Sequence, residues 1–161
     1  MRVENAIGKL LRTRGETLSI AESCTGGLIS DRITNVPGSS VYFEGSVVCY
    51  SNRVKAGQLH IPLKTIERFG AVSSEIARRM AQGIRKTFHT EFGLSTTGLA
   101  GPTGGTKKTP VGTVFIGFSN GKRTWVKKFD LKGSRREIKK KAAEKALSIL
   151  QECLTRHVRH P

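Results

Sequence analysis

The sequence predicts a single α/β domain of three layers, in which helices flank both faces of a mixed β-sheet. Patterns typical of helices alternate with patterns typical of strands along the 161 residues. The pair Asn120-Gly121 separates two strand patterns and therefore predicts one antiparallel hairpin. Neither an internal repeat nor a long linker divides the sequence, so we expect residues 1–161 to form one domain.

The N-terminal segment predicts a helix, a strand and a second helix. Apolar residues recur at helical spacing over residues 3–13, which predicts an amphipathic helix. A strand is predicted at residues 18–21. The small residues 23–27 then lead directly into a helical pattern that ends before Pro37. Together these patterns indicate a strand, a tight turn and a helix.

The middle of the chain predicts one strand and three helices. Residues 47–50 are rich in strand-forming types, and Asn52 is expected to cap the short helix that follows. Pro62 opens another short helix. A longer helix is expected to begin at Ser73 or Ser74, because apolar residues follow there with the helical period.

The last third predicts the remaining strands and one long helix. A strand at residues 94–97 enters a glycine-rich loop at 98–105. The hairpin strands are expected at residues 113–118 and 124–131. Ser134 is then expected to cap a helix that continues to about Leu154.

The chain is strongly basic, with 28 Lys+Arg against 12 Asp+Glu and a formal net charge of +16. Most of the excess lies in residues 107–161, which carry a net +11 against +5 in residues 1–106. Such a field attracts phosphates, nucleotides or nucleic acid. The basic run at residues 135–141 has a simpler explanation for most of its charges, as the solvated face of a helix.

The sequence lacks the signals of a membrane or metal-binding protein. No apolar run approaches the roughly 20 residues that a membrane helix needs, and the N-terminal segment is unlike a signal peptide. We therefore expect a cytoplasmic protein with no membrane partner. Disulfide or zinc-ligand spacing is absent from the cysteines Cys24, Cys49 and Cys153. A surface or structural role, rather than metal binding, is expected for the histidines His60, His89, His157 and His160.

The turn at residues 21–27, with the sequence AESCTGG, is the first candidate for chemistry. A hydroxyl and several backbone amides meet there at the start of a helix. The amides could bind a phosphate. Alternatively, Ser23 could act as a nucleophile with the following amides as an oxyanion hole. The third interpretation is an ordinary helix cap whose glycines allow close packing.

A serine that attacks an amide needs a base. No histidine lies in a segment with site character, which disfavours a Ser-His-Asp triad. Lys55 is the candidate substitute, because burial in the helix after the second strand would lower its pKa and supply a neutral amine. The alternative is a surface lysine. Tyr50 could hydrogen-bond in the same site or could be a buried strand tyrosine.

The loop after Thr97 is too rich in glycine for ordinary turn chemistry, because each glycine loses conformational entropy on folding and contributes no packing. A ligand that approaches the backbone closely would explain this composition, and a mobile connection is the alternative. Arg135 is placed near the start of the last helix, where a guanidinium could meet a phosphate or carboxylate. It is also simply one of 28 basic residues.

Taken together, these segments resemble the C-terminal domain of the CinA family, the competence/damage-inducible proteins, whose stand-alone members include nicotinamide-nucleotide amidases. The matching motifs, in family order, are AESCTGG (21–27), VPGSS (36–40), YSNRVK (50–55), GAVSSEIARRMAQG (70–83) and TGLAGPTGGTKKTPVGTV (97–114). They extend over nearly the whole chain.

The resemblance implies hydrolysis of nicotinamide mononucleotide to nicotinate mononucleotide and ammonia, without a metal or organic cofactor. Its residue matches are Ser23 as nucleophile, Lys55 as general base, and Tyr50, Thr97 and Arg135 as support or substrate contacts. Tyr50 is expected to support the catalytic pair and is grouped with the catalytic residues. Amides near Thr25 and Gly26 would stabilise the oxyanion. Substrate contacts are expected at Thr25, Gly26, Gly27, Thr97, Gly98, Gly101, Gly104, Gly105 and Arg135.

Two other interpretations of function remain at this point. The charge is compatible with a non-catalytic module that binds nucleotides or nucleic acid. However, aromatic residues make up only 6% of the chain, with Trp125 as the single tryptophan, which leaves little surface for base stacking. The same site could also hydrolyse a different amide or nucleotide. A homo-oligomer is expected for a small α/β enzyme.

Overall fold

Five strands form one mixed sheet in the computed structural model, which describes residues 2–157. The strands are β1 (Leu18–Glu22), β2 (Phe43–Val48), β3 (Phe92–Gly98), β4 (Thr113–Ser119) and β5 (Thr124–Asp130). Their order across the sheet is β2-β1-β3-β4-β5. β1 is parallel to β2 and β3, whereas β4 is antiparallel to both of its neighbours. The carboxyl ends of β1, β2 and β3 therefore lie at the same edge.

Six helices cover the two faces of this sheet. They are α1 (Val3–Arg14), α2 (Leu28–Thr34), α3 (Asn52–Leu59), α4 (Leu63–Phe69), α5 (Ser74–Thr87) and α6 (Arg135–His157), with a short 3₁₀ turn at Ser39–Val41. One hydrophobic core lies between the sheet and α1, α2 and α6. A second lies between the opposite face and α3, α4 and α5. The predicted three-layer α/β fold is confirmed.

Small residues allow α5 to lie close to the centre of the sheet. A Cβ atom added at Gly93 would be only 2.1 Å from the carbonyl oxygen of Ala81, and one at Gly117 only 2.6 Å from that of Ala77. Ser95, two residues after Gly93 and directly opposite Gly117 in the sheet, donates a hydrogen bond of 2.7 Å to the Ala77 carbonyl. The buried serine is thus paired, as a polar group in a core must be.

The connections between the parallel strands open a crevice at their carboxyl ends. The chain passes from β1 to β2 through α2 on one face, and from β2 to β3 through α3, α4 and α5 on the other. Where successive connections leave for opposite faces, the loops separate and a ligand can enter. The two predicted motifs AESCTGG and YSNRVK begin at this edge.

Helix and strand boundaries differ from the predictions in two instructive places. The strand predicted through Tyr50 ends at Val48. Asn52 is not the cap of α3, because Ser51 has the extended backbone of a cap and its hydroxyl accepts a hydrogen bond from the Val54 amide at 3.2 Å. The predicted cap at Ser134 is confirmed: its hydroxyl accepts a hydrogen bond from the Glu137 amide at 3.4 Å, and its own amide donates to the Glu137 carboxylate at 2.7 Å.

Other expectations concern membranes, metals and histidines. Within residues 2–157, the helices lack the combination of length and apolarity that crossing a membrane requires. The same residues contain no group of three or more His, Cys, Asp or Glu side chains arranged to hold a metal ion. His60 and His89 are exposed, each just beyond the end of a helix. The side chain of His157 and the whole of His160 lie outside the described residues.

Candidate active site

A cleft of about 180 Å³ opens at the carboxyl ends of β1, β2 and β3. Its walls include the predicted residues Ser23, Tyr50, Lys55, Thr97, Gly98, Gly101 and Arg135. The other predicted contacts, Thr25, Gly26, Gly27, Gly104 and Gly105, lie outside this lining. Three strand ends and the start of α6 thus bring together residues that are more than 100 positions apart in sequence.

Ser23 and Lys55 are in direct contact at the base of the cleft. Lys55 Nζ lies 3.2 Å from Ser23 Oγ and donates a second hydrogen bond, of 2.9 Å, to the Cys49 carbonyl oxygen. Both side chains are buried, with Lys55 only 2% exposed. The Ser23 amide donates to the Thr96 carbonyl at 2.9 Å, which fixes the serine relative to β3. A lysine amine held against a serine hydroxyl is an arrangement in which one can deprotonate the other.

Burial lowers the pKa of Lys55, because the charged ammonium loses its hydration. The nearby thiols of Cys49 and Cys24 act in the opposite direction. Burial, however, raises the pKa of Cys49 to about 11 and that of Cys24 to about 12, so both thiols are neutral at physiological pH. Among the described residues no carboxylate forms an ion pair with Lys55. The net effect of the site is to shift Lys55 towards the neutral amine.

Glu22 organises the turn that carries Ser23. Its fully buried carboxylate accepts hydrogen bonds from the amides of Gly27 (2.9 Å), Ile29 (3.2 Å) and Ser30 (2.8 Å), and from the Ser30 hydroxyl (2.6 Å). The carboxylate is the cap of α2. These amides consequently do not remain for a phosphate or an oxyanion, and any oxyanion donors must come from the turn before Gly27. The sequence did contain a signal for this cap: an acidic residue ends the strand, and a turn of small residues follows it.

Glu22→Gln provides a test of this cap. The amide keeps the shape of the carboxylate but replaces one acceptor oxygen with a donor that faces other donors. We expect the free energy of unfolding to fall by about 1–3 kcal/mol, measured by urea denaturation. The control is Glu44→Gln on the exposed part of β2, which should change stability by less than about 0.5 kcal/mol. Equal stability of the two variants would refute the role of Glu22.

The rest of the turn is structural. The hydroxyl of Thr25 is buried and lies 2.8 Å from that of Thr96, so it anchors the turn to β3 instead of facing the cleft. Gly26 and Gly27 have φ values of +62° and +98°, which glycine adopts without strain. The turn thus places Ser23, followed by Cys24, in the wall of the cleft.

Arg135 joins three separate segments at the mouth of the cleft. It donates hydrogen bonds of 2.6 Å to the Tyr50 hydroxyl and of 2.6 Å to the Gly101 carbonyl oxygen. Tyr50 is 60% exposed, so the alternative of a buried strand tyrosine is wrong. A guanidinium and a phenol at an open mouth can both contact a polar ligand.

The glycine-rich loop owes part of its composition to its own packing. A Cβ atom at Gly98 would be 2.7 Å from the Thr113 carbonyl oxygen, and one at Gly101 would be 2.5 Å from Val111 Cγ1. These two positions therefore require glycine whether or not a ligand is bound. Thr97, which ends β3 in front of this loop, donates its hydroxyl proton to the Ala71 carbonyl at 2.7 Å.

Sequence analysis missed several residues of the cleft. Asn52, predicted to be a cap, lines the cleft instead. Ala71 and Val72 form part of the wall, between α4 and α5. Both lie at the start of the matching motif at residues 70–83, and this match was the signal that could have placed them at the site. Cys24 also contributes to the lining, with its thiol protonated.

The fold and the site define an α/β domain with a buried serine-lysine pair at the carboxyl edge of its parallel strands. Residues 1–154 match the family of the CinA C-terminal domain. The chain belongs to this family, and the predicted resemblance is confirmed.

Relatives and solved structures agree with this membership. The chain is 46% identical over 153 residues to a CinA-like protein of Syntrophus aciditrophicus, covering 94% of this chain and 36% of that protein. It thus spans little more than a third of the length of the curated relatives it matches. The competence damage-inducible protein A of Klebsiella pneumoniae superposes with a TM-score of 0.91 at 29% identity, with 95% of each chain covered. The competence/damage inducible protein CihA of Agrobacterium tumefaciens gives 0.89 at 32% identity, again with 95% of each covered.

Proposed function

We propose that this domain hydrolyses the carboxamide of nicotinamide mononucleotide and releases nicotinate mononucleotide and ammonia. One observation carries the proposal: Ser23 Oγ lies 3.2 Å from the amine of Lys55, which is buried without a carboxylate partner among the described residues. Such a pair supplies both the nucleophile and the base that amide hydrolysis needs. The CinA resemblance supplies the choice of substrate.

Acylation begins with the neutral amine of Lys55. Its lone pair takes the proton of Ser23 Oγ while the oxygen attacks the carboxamide carbon. The carbonyl oxygen becomes an oxyanion, which amides near Thr25 and Gly26 would stabilise. The Lys55 ammonium then returns the proton to the departing nitrogen. The C–N bond breaks, ammonia leaves, and the nicotinoyl group remains as an ester on Ser23.

Deacylation repeats the same proton transfers with water. The neutral amine of Lys55 takes a proton from a water molecule that attacks the ester carbon. The C–O bond to Ser23 breaks, and the serine oxygen regains a proton from Lys55. The acid of nicotinate mononucleotide is formed, and its proton dissociates to solvent, where the released ammonia takes it up. One water is consumed and one ammonia released per cycle, with the side chains restored.

The mouth of the cleft suits the rest of the substrate. The side chains of Tyr50 and Arg135 are exposed at the mouth, where the ribose and phosphate would lie with the carboxamide at Ser23. The guanidinium is already oriented by Gly101, which lowers the entropic cost of binding a polar group. Loss of either side chain should therefore weaken binding more than it slows the chemical step.

The experiment is a product-resolved assay of the purified protein with nicotinamide mononucleotide. We expect ammonia and nicotinate mononucleotide to appear in equal amounts, since only the amide bond is cut. Absence of ammonia at high enzyme concentration would contradict the proposal. Release of free nicotinamide would also contradict it, because the glycosidic bond would then be the one cleaved.

A second candidate function, binding of single-stranded nucleic acid, is favoured by a groove far from Ser23. The groove, of about 720 Å³, lies between β5 and the second half of α6. Trp125 lines it, is 44% exposed and stacks on Phe118 with ring centroids 5.7 Å apart. The cationic side chains around it are Lys122, Arg123, Lys127 and Arg156. An exposed indole among cations is suited to a stacked base and its phosphates.

Trp125→Ala separates this candidate from non-specific attraction. If the groove binds a single strand, we expect the variant to bind a fluorescent single-stranded DNA oligonucleotide roughly tenfold more weakly, because one stacked base is lost. Fluorescence anisotropy at several salt concentrations is the measurement. Phe69→Ala, on the opposite face and also exposed, is the control and should bind as the wild type does. Equal affinities of the two variants would eliminate the groove.

A further inference from the structure

A second cation of α6 faces the turn that carries Ser23. Lys139 lies four residues after Arg135, so the two side chains project from the same face of the helix. A Cβ atom added at Gly26 would be 3.2 Å from Lys139 Nζ. The ammonium therefore lies against the turn, next to the residues that follow the nucleophile. A residue with a side chain at position 26 would displace it.

Lys139 has no anionic partner among the described residues. Within residues 2–157, no carboxylate lies within ion-pair distance of its amine. The other lysines of α6 are engaged differently or exposed: Lys141 donates to the Lys132 carbonyl at 2.6 Å, and Lys145 lies over the Phe129 ring at 5.9 Å. A half-buried ammonium without a counter-charge is suited to an anionic ligand.

The backbone of the turn does not compete for such a ligand. Glu22 already occupies the amides at the start of α2, so a phosphate there would meet a carboxylate instead of free donors. Positive charge for a phosphate near Ser23 must then come from side chains. Arg135, which donates to the Gly101 carbonyl, and Lys139, which lies against Gly26, are cations of α6 on this side of the molecule.

We propose that Lys139 binds the 5′-phosphate of the mononucleotide substrate, at a subsite between Gly26 and Arg135. The inference rests on the proposed function for its substrate. Lys139 is a binding residue that does not touch the reacting atoms. Its contact with the phosphate is the same in the bound substrate and in the transition state, so it lowers KM and leaves kcat unchanged. The corresponding nucleoside has no phosphate for Lys139 to contact, so Lys139 does not strengthen its binding.

Steady-state kinetics of Lys139→Gln with nicotinamide mononucleotide and with nicotinamide riboside test the subsite. We expect KM for the mononucleotide to rise about tenfold, with kcat within about twofold and the kinetics with the riboside unchanged. Lys139→Arg should restore much of the preference for the mononucleotide. The matched control is Lys140→Gln, which removes an equal charge from the adjacent exposed position and should alter neither substrate.

Two results would overturn the proposal: an unchanged ratio of mononucleotide to riboside kcat/KM in Lys139→Gln, or an equal loss in Lys140→Gln. If the wild type releases no ammonia, the proposed function fails separately, and calorimetric binding of the same two compounds decides on Lys139. In that case, the subsite is supported if the wild type binds the mononucleotide more tightly than the riboside and Lys139→Gln loses this difference. Equal binding of the mononucleotide by wild type and variant overturns it.

Discussion

Ser23→Ala is expected to reduce ammonia release from nicotinamide mononucleotide by roughly 10³-fold or more. The variant removes the attacking oxygen, and no other hydroxyl is in contact with the Lys55 amine among the described residues. The thiol of Cys24 lines the same cleft but stays protonated, because burial raises its pKa to about 12. It is therefore a poor substitute nucleophile.

The fold should tolerate this change. Ser23 is held by its backbone amide on Thr96, which alanine retains, and the side chain loses only one hydrogen bond. Circular dichroism and the urea midpoint should confirm folding, and calorimetry should detect substrate binding close to that of the wild type. Ser148→Ala, on α6, is the control for serine replacement. Activity within tenfold of the wild type in a folded Ser23→Ala variant would rule out the serine as nucleophile.

Lys55→Met is the variant with the next largest expected effect, a loss of about 10²–10⁴-fold in kcat. Methionine fills similar space but cannot take the serine proton. Lys55→Arg should fail as well, because a guanidinium stays protonated at any relevant pH. A variant with arginine that retained substantial activity would indicate that Lys55 acts as a fixed positive charge and not as a base.

The pH dependence of kcat/KM provides a second test of Lys55 as the general base. Since burial lowers the pKa of Lys55, kcat/KM should rise with pH as the amine deprotonates, with an inflection below the usual value of about 10.4. The residual activity of Lys55→Met should lack this inflection. A wild-type profile that falls as pH rises through this range would contradict the assignment of Lys55 as base.

Stability should follow the same titration. Between the lowered pKa of Lys55 and its value in the unfolded chain, the folded protein binds fewer protons than the unfolded one. The free energy of unfolding therefore rises with pH across that window, and below it protonation of the buried amine costs stability. Urea denaturation at several pH values should detect this slope in the wild type and a smaller slope in Lys55→Met. Parallel slopes would mean that Lys55 does not titrate in this window.

Local signals were sufficient to predict the helices and strands that the structure describes: apolar periodicity, runs of strand-forming residues, Pro62 and the Asn120-Gly121 turn. Caps were harder. Ser51 and Asn52 are both good cap residues in sequence, and only the backbone of Ser51 has the required extended conformation. The short 3₁₀ turn at Ser39–Val41 carries no apolar period and was not predicted.

The candidate site depends on contacts that local patterns do not record. Lys55 was chosen from its place after a strand, but its burial against Ser23 results from packing between α3 and the turn after β1. Arg135 contacts Tyr50 across 85 positions of sequence, and Lys139 lies against Gly26 in the turn after β1. Glu22 turns its carboxylate towards α2 because the buried charge needs donors that only the folded turn supplies. The contacts of these residues could therefore be identified only from the three-dimensional fold.

The most direct test of the central claim is capture of the acyl group on Ser23 by hydroxylamine. Covalent catalysis predicts that hydroxylamine competes with water for the ester, so that the hydroxamate of the nicotinoyl nucleotide forms in proportion to its concentration, while ammonia release continues. Ser23→Ala should give neither product. Hydrolysis by the wild type with no hydroxamate at any hydroxylamine concentration, or hydroxamate formation by Ser23→Ala, would contradict a serine nucleophile activated by Lys55.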